Sequence, residues 1–265
     1  MSGQRFSRAG VLHVRDRLTE RDLALASQVA ELRLLSGRQI EALYFPQELH
    51  ANPEAAARHC RRVLSRLVRE RVLVRLERRV GGVRAGSASF VYALGPVGQR
   101  LLDEQRSRPR RYEPSAAFVD HQLAVSQLVV DLTIAGRRGR LEILTTEGEP
   151  ACWRTLPAIG RSVLRPDLFI AIGAADLEYR WFIEVDRGTH HRPALVRKAQ
   201  LYESYYRSGI EQATDEVFPR VAWITPDAAR AARLREAFGG GELSEGLMLV
   251  TTSDKAIDVL SGGEA

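Results

Sequence analysis

Asp167, Glu184, Asp186 and Lys198 are the residues of this chain best suited to do chemistry. Two short apolar segments carry the carboxylates: Arg165-Pro166-Asp167-Leu168-Phe169-Ile170 and Trp181-Phe182-Ile183-Glu184-Val185-Asp186. Both read as strands. Side chains alternate faces along a strand, so Asp167 sides with Phe169 and Ala171, and Glu184 and Asp186 side with Phe182. If the two strands are neighbours, three carboxylates converge at one end of a sheet. Unpaired, they would repel one another and lose hydration. Mg²⁺ or Mn²⁺, which takes oxygen ligands, is the natural compensation, with Asp167, Glu184 and Asp186 as its ligands. Such an ion acidifies a bound water and stabilises charge in phosphodiester cleavage. The candidate catalytic set is Asp167, Glu184 and Lys198.

Lys198 is singled out twice. It is one of only two lysines, with Lys255, among 39 basic residues. A chain that otherwise uses arginine keeps a compact ammonium here. The spacing also predicts a helix over 194–208, whose apolar arc is Leu195, Ala199, Leu201, Tyr202, Tyr205 and Tyr206. Lys198 falls in the middle of that arc, where it must meet a carboxylate, a phosphate or a route to solvent. The alternative to catalysis is that Lys198 simply pairs with Glu184 or Asp186. His121, His190 and His191 are weaker candidates, read as a packing residue and two loop residues.

These residues need a scaffold. The C-terminal half reads as helix 116–135, strands near 140–146, 166–172 and 179–186, helix 194–208, strand 220–225, helix 227–237 and strand 247–251. A helix between strands, with a strand resuming at Val221-Ala-Trp-Ile-Thr225, indicates a mixed α/β sheet. A polar segment with two prolines, 105–115, separates this half from the first. The expected domains are 15–107 and 115–255.

The N-terminal half reads as three helices, a hairpin and a further helix. Thr19 caps the first helix, Ser36 the second, and Asn52-Pro53 starts the third, which runs to about Arg69. The apolar stripe of that third helix is Ala57, Cys60, Leu64, Leu67 and Val68, with Arg58, Arg61, Arg62, Arg66 and Arg69 roughly opposite. Val72–Val80 and Phe90–Leu94 form the hairpin, which carries Arg75, Arg78, Arg79 and Arg84. This order, with Leu94-Gly-Pro-Val-Gly-Gln-Arg-Leu-Leu102, resembles a winged helix-turn-helix domain. The resemblance implies that the third helix enters a DNA major groove and the hairpin contacts backbone.

Charge agrees with that division. The chain is +6 overall, yet residues 1–112 carry +11 and residues 113–265 carry −5. A basic half facing a polyanion is the simplest reading. The DNA-binding candidates are Arg58, Arg61, Arg62, Arg66, Arg69, Arg78, Arg79 and Arg84. A hydrophobic content of 45% supports a buried core. The sequence has no apolar run long enough to span a membrane, no apolar signal region and no paired-cysteine pattern, so a cytoplasmic protein is expected.

The order Pro-Asp, then Glu-x-Asp, then a helix bearing Lys and Tyr, resembles the PD-(D/E)xK nuclease superfamily over residues 116–251. The superfamily usually places Lys where Asp186 stands. Some members carry the lysine on the following helix, and Lys198 would be such a residue. Together with the winged helix, Phe182-Ile-Glu-Val-Asp-Arg-Gly-Thr189 and Arg197-Lys-Ala-Gln-Leu-Tyr202 resemble the replication-relaxation family of actinobacterial plasmids and related mobile elements. The resemblance implies a fold that is α+β overall: a winged helix followed by a PD-(D/E)xK-like mixed-sheet domain. It also implies a double-stranded DNA partner, a role in replication control, and Mg²⁺ or Mn²⁺ if the site is catalytic. Two functions stay open: metal-dependent DNA cleavage or nicking, and non-catalytic regulation of replication or transcription by a degenerate nuclease fold. A homodimer is compatible with the winged helix, although no dimerisation helix stands out.

Overall fold

The computed structural model describes residues 7–76, 90–103, 114–156, 162–189, 191–240 and 243–263. It divides into two compact units, Met1–Val130 and Asp131–Ala265. Arg78, Arg79, Arg84 and His190 lie outside the described residues.

In the first unit, α1 (Arg8–Arg15) and α2 (Glu20–Glu31) precede a two-residue strand β1 (Leu35–Ser36). Then come α3 (Gly37–Tyr44), α4 (Pro53–Arg69), β2 (Leu73–Leu76), β3 (Val91–Leu94) and α5 (Pro96–Leu102). The expected caps are formed. Thr19 with Asp22, and Ser36 with Gln39, close reciprocal capping boxes, and Asn52 accepts from the Ala55 N–H at 2.8 Å ahead of Pro53. The strands order β1-β3-β2, with both pairings antiparallel. Two glycines permit the close join of α5 to β2. A Cβ on Gly95 would sit 2.3 Å from the Arg71 carbonyl oxygen, and one on Gly98 2.3 Å from that of Val72.

The buried stripe of α4 is Ala56, Cys60, Val63, Leu64 and Leu67. Ala57 and Val68, expected in it, are only half-buried. The helix is therefore turned slightly from the face that spacing alone suggests.

Helix α6 (Ala116–Arg137) begins in the first unit. There the Ser126 hydroxyl donates to Leu34 O at 2.7 Å, and the Gln39 amide donates to Leu123 O at 2.9 Å. The division between the two compact units falls inside this helix.

The second unit contains β4 (Glu142–Gly148), a small hairpin of β5 (Arg154–Leu156) and β6 (Ser162–Leu164), β7 (Leu168–Ala174) and β8 (Leu177–Val185). It continues with α7 (Arg192–Ser208), α8 (Ile210–Asp215), β9 (Arg220–Thr225), α9 (Ala228–Gly239), β10 (Met248–Thr252) and α10 (Ala256–Leu260). The five-stranded sheet has the order β10-β9-β8-β7-β4. β8, β9 and β10 run parallel, while β7 and β4 are antiparallel additions. The fold is thus a mixed α+β one, as the strand and helix pattern predicts.

β8 is the central strand, and Trp181–Val185 are all buried. A strand covered on both faces loses the polar alternation of a half-exposed one. On one face Phe169, Ala171 and Phe182 pack with Leu195, Ala199, Tyr202 and Tyr205 of α7 and with Ala231 and Leu234 of α9. On the other, the Trp181 indole donates to Leu260 O at 3.0 Å. Among the described residues, no helix is long and apolar enough to cross a membrane.

Candidate functional site

Asp167 and Asp186 lie just outside the strands that sequence alternation assigns them to, yet the sheet still holds both. The Asp167 N–H donates to Ile183 O at 3.0 Å, and the Asp186 N–H donates to Ile224 O at 2.9 Å. Leu168 pairs with Ile183 in the antiparallel register, so Asp167 falls beside Glu184. Its carboxylate accepts from the Val185 N–H at 2.7 Å. The three carboxylates therefore gather at the strand ends on the face covered by α7 and α9.

Glu184 is 4% exposed and both of its oxygens are engaged. Oε2 accepts from Lys198 Nζ at 2.5 Å, and Oε1 accepts from the Tyr202 hydroxyl at 2.6 Å. Lys198 and Tyr202 stand one helical turn apart on α7, so one helix face delivers both donors. Burial pushes the Glu184 carboxyl up to about 7, against the pull of Lys198; the neighbouring Asp167 charge raises it further. Burial lowers the Lys198 ammonium, but Glu184 and then Asp167 outweigh it and leave it raised. Burial also raises the Tyr202 phenol, and the Glu184 charge adds to that.

Asp186 has a different partner. Arg230 grips it with two bonds, Nε to Oδ2 at 2.5 Å and Nη2 to Oδ1 at 3.2 Å. The Gly188 N–H also donates to Oδ1, at 3.0 Å. The Asp186 side chain is 1% exposed and that of Arg230 14%. Arg230 lies in the first turn of α9, whose N-cap Asp227 accepts from the Arg230 N–H at 2.7 Å. A cation is locally disfavoured at the positive end of a helix, and the paired carboxylate offsets that cost. Arg230 had no signature in the sequence, being 44 residues from Asp186. Tyr202 was visible as a member of the apolar arc and of the Lys-and-Tyr helix motif, but not as a partner of Glu184.

Asp167, Glu184 and Lys198 are brought together, whereas Asp186, two residues beyond Glu184, is taken by Arg230. As a metal centre the set fits poorly. Every oxygen of Glu184 and Asp186 already accepts a charged or phenolic donor. Among the described residues, no group of three or more His, Cys, Asp or Glu side chains is disposed to hold a metal ion. His191 is an exposed residue at the start of α7, and His121 lies on the part of α6 in the first unit.

A second set lies on α4. Arg58, Arg61, Arg62 and Arg69 are exposed, at spacings of three, four and seven that keep them on one stripe opposite the core. Arg66, expected in the same set, is only partly exposed, and its guanidinium donates to the fully buried Asp22 at 2.7 Å. Arg75 is exposed on β2 and stacks over Phe90 at 4.2 Å.

Fold and site together define a mixed-sheet protein whose buried strand-end carboxylates are paired with cations from two helices. The family described as Replication-relaxation matches residues 27–221, and the chain belongs to that family. Neither a curated protein nor a solved structure matches it.

Proposed function

We propose that this protein binds double-stranded DNA in the control of replication of a plasmid or related mobile element, with α4 as its DNA-contacting helix. The observation that carries this reading is the exposed stripe of Arg58, Arg61, Arg62 and Arg69 on a 17-residue helix whose other face is core. Guanidinium groups along one helix suit phosphate contacts and major-groove base edges. The helix order and the β2–β3 pair after α4 fit the winged-helix resemblance, and membership of the replication-relaxation family supplies the replication context. Titration of a labelled duplex over a range of salt tests it. Affinity should fall steeply with salt, as counterion release requires. Binding insensitive to both salt and Arg62→Ala would overturn the proposal.

The C-terminal unit enters this reading as a non-catalytic body, the second of the two functions the sequence leaves open. Support comes from the ion-paired state of Glu184 and Asp186. Supercoiled DNA incubated with Mg²⁺ or Mn²⁺ tests this part. The expected result is that wild type and Glu184→Ala give the same background. Nicking by the wild type that Glu184→Ala abolishes would overturn it.

A further inference from the structure

We infer that the acidic end of the sheet is a closed site, in which Lys198 and Arg230 take the place that a divalent cation would fill. The inference deepens the non-catalytic reading of the C-terminal unit and is independent of the arginine stripe on α4.

Asp167, Glu184 and Asp186 bring three carboxylates to one end of the sheet, and two of them are almost fully buried. Buried carboxylates need a compensating cation in hydrogen-bonding contact. This chain supplies two of its own, Lys198 to Glu184 and Arg230 to Asp186, which offset charge that an incoming metal would otherwise meet. A divalent ion is attracted far less to the paired set than to three bare carboxylates.

Geometry points the same way. Mg²⁺ demands near-octahedral oxygens at about 2.0–2.1 Å. The Asp186 oxygens are instead spanned by a planar guanidinium, and both Glu184 oxygens accept from α7. A metal would have to displace Arg230, whose side chain is 14% exposed, or Lys198, at 32%. Arg230 also resolves an oddity of the sequence. Where the PD-(D/E)xK pattern carries a cation, this chain has Asp186, and the positive charge returns from α9. The two ion pairs tie β8 to α7 and α9, so the site works as a clasp between the sheet and the helices covering it.

The test uses the full chain without DNA. Mn²⁺ is titrated and its free electron-paramagnetic-resonance signal followed, with thermal unfolding measured in Mg²⁺ and in EDTA. The wild type should leave the Mn²⁺ signal as in buffer, and its melting temperature should be the same in both solutions. Saturable Mn²⁺ binding by the wild type that Glu184→Gln removes would overturn the inference. If such binding occurs without DNA cleavage, the closed site is wrong while the non-catalytic reading stands; if cleavage accompanies it, both fail. Removing a filler should open the site, so Lys198→Ala or Arg230→Ala should gain Mn²⁺ binding and a Mn²⁺-dependent rise in melting temperature. Should both variants fold, by circular dichroism, and still bind no Mn²⁺, these two cations are not what closes the site. Failure of either variant to fold leaves the wild-type titration decisive.

Discussion

Arg66 on α4 donates to the carboxylate of Asp22 on α2 at 2.7 Å, and that carboxylate is completely buried. The same oxygen accepts from the Thr19 N–H at 2.9 Å and the Thr19 hydroxyl at 2.8 Å. An arginine that sequence places with the DNA-facing set is thus a bolt between two helices. Arg66→Ala should destabilise the first unit by about 1.5–3 kcal/mol, because it removes a charged hydrogen bond from a buried carboxylate. Chemical denaturation of the full chain checks this. A loss of DNA affinity with unchanged stability would contradict the assignment.

The Asp22 pair also sets a pH response. Burial would raise its carboxyl, but the hydrogen bonds from Arg66 and Thr19 outweigh it and hold the pKa below its ordinary value. A depressed folded-state pKa contributes stability that is present above the unfolded value and lost as pH falls through the folded one. Wild type should therefore lose stability more steeply than Asp22→Asn below about pH 4. Parallel acid limbs in a denaturation series would contradict it.

The exposed stripe should behave in the opposite way to Arg66. Arg58→Ala, Arg61→Ala, Arg62→Ala and Arg69→Ala should each leave stability within about 0.5 kcal/mol of wild type. Each should flatten the dependence of log K on log salt by about 0.9 if its arginine meets one phosphate. Fluorescence anisotropy at several salt concentrations reads both slope and affinity.

Burial raises the Glu184 carboxyl above its ordinary value, against the pull of Lys198. Its folded pKa, about 7, lies above that of the unfolded chain. The protonated form is therefore favoured by folding, and the resulting stability declines as pH rises from about 4 to about 7. Glu184→Gln removes this titration. The difference in melting temperature, wild type minus variant, should fall across that range and be level above it. A difference that grows with pH would show that Lys198 dominates the pair and lowers the carboxyl instead.

Helix α6 predicts where the first unit ends. Ser126 and Leu123 hydrogen-bond to Leu34 and Gln39. A fragment of residues 1–130 should unfold cooperatively on heating, whereas one ending at 107 should not. Circular dichroism melts of the two fragments decide this.

The sequence alone determined the local structure: the caps at Thr19, Ser36 and Asn52, the arginine stripe of α4, the strand faces that carry Asp167 and Glu184, and Lys198 on a buried helix face. Each follows from a short-range rule, a period of 3.6 or 2 or a capping hydrogen bond. The short β5–β6 hairpin and α8 carry too few residues for any period to show. Tertiary structure decided which cation meets which buried carboxylate. Arg66 reaches Asp22, and Arg230 reaches Asp186, each across 44 residues of chain. Those partners are chosen by how helices cross each other and the sheet, and the cost of an unpaired buried charge enforces the choice once the packing exists. The acidic cluster that spacing offers as a metal site therefore closes on itself only in three dimensions, when α9 brings Arg230 to Asp186.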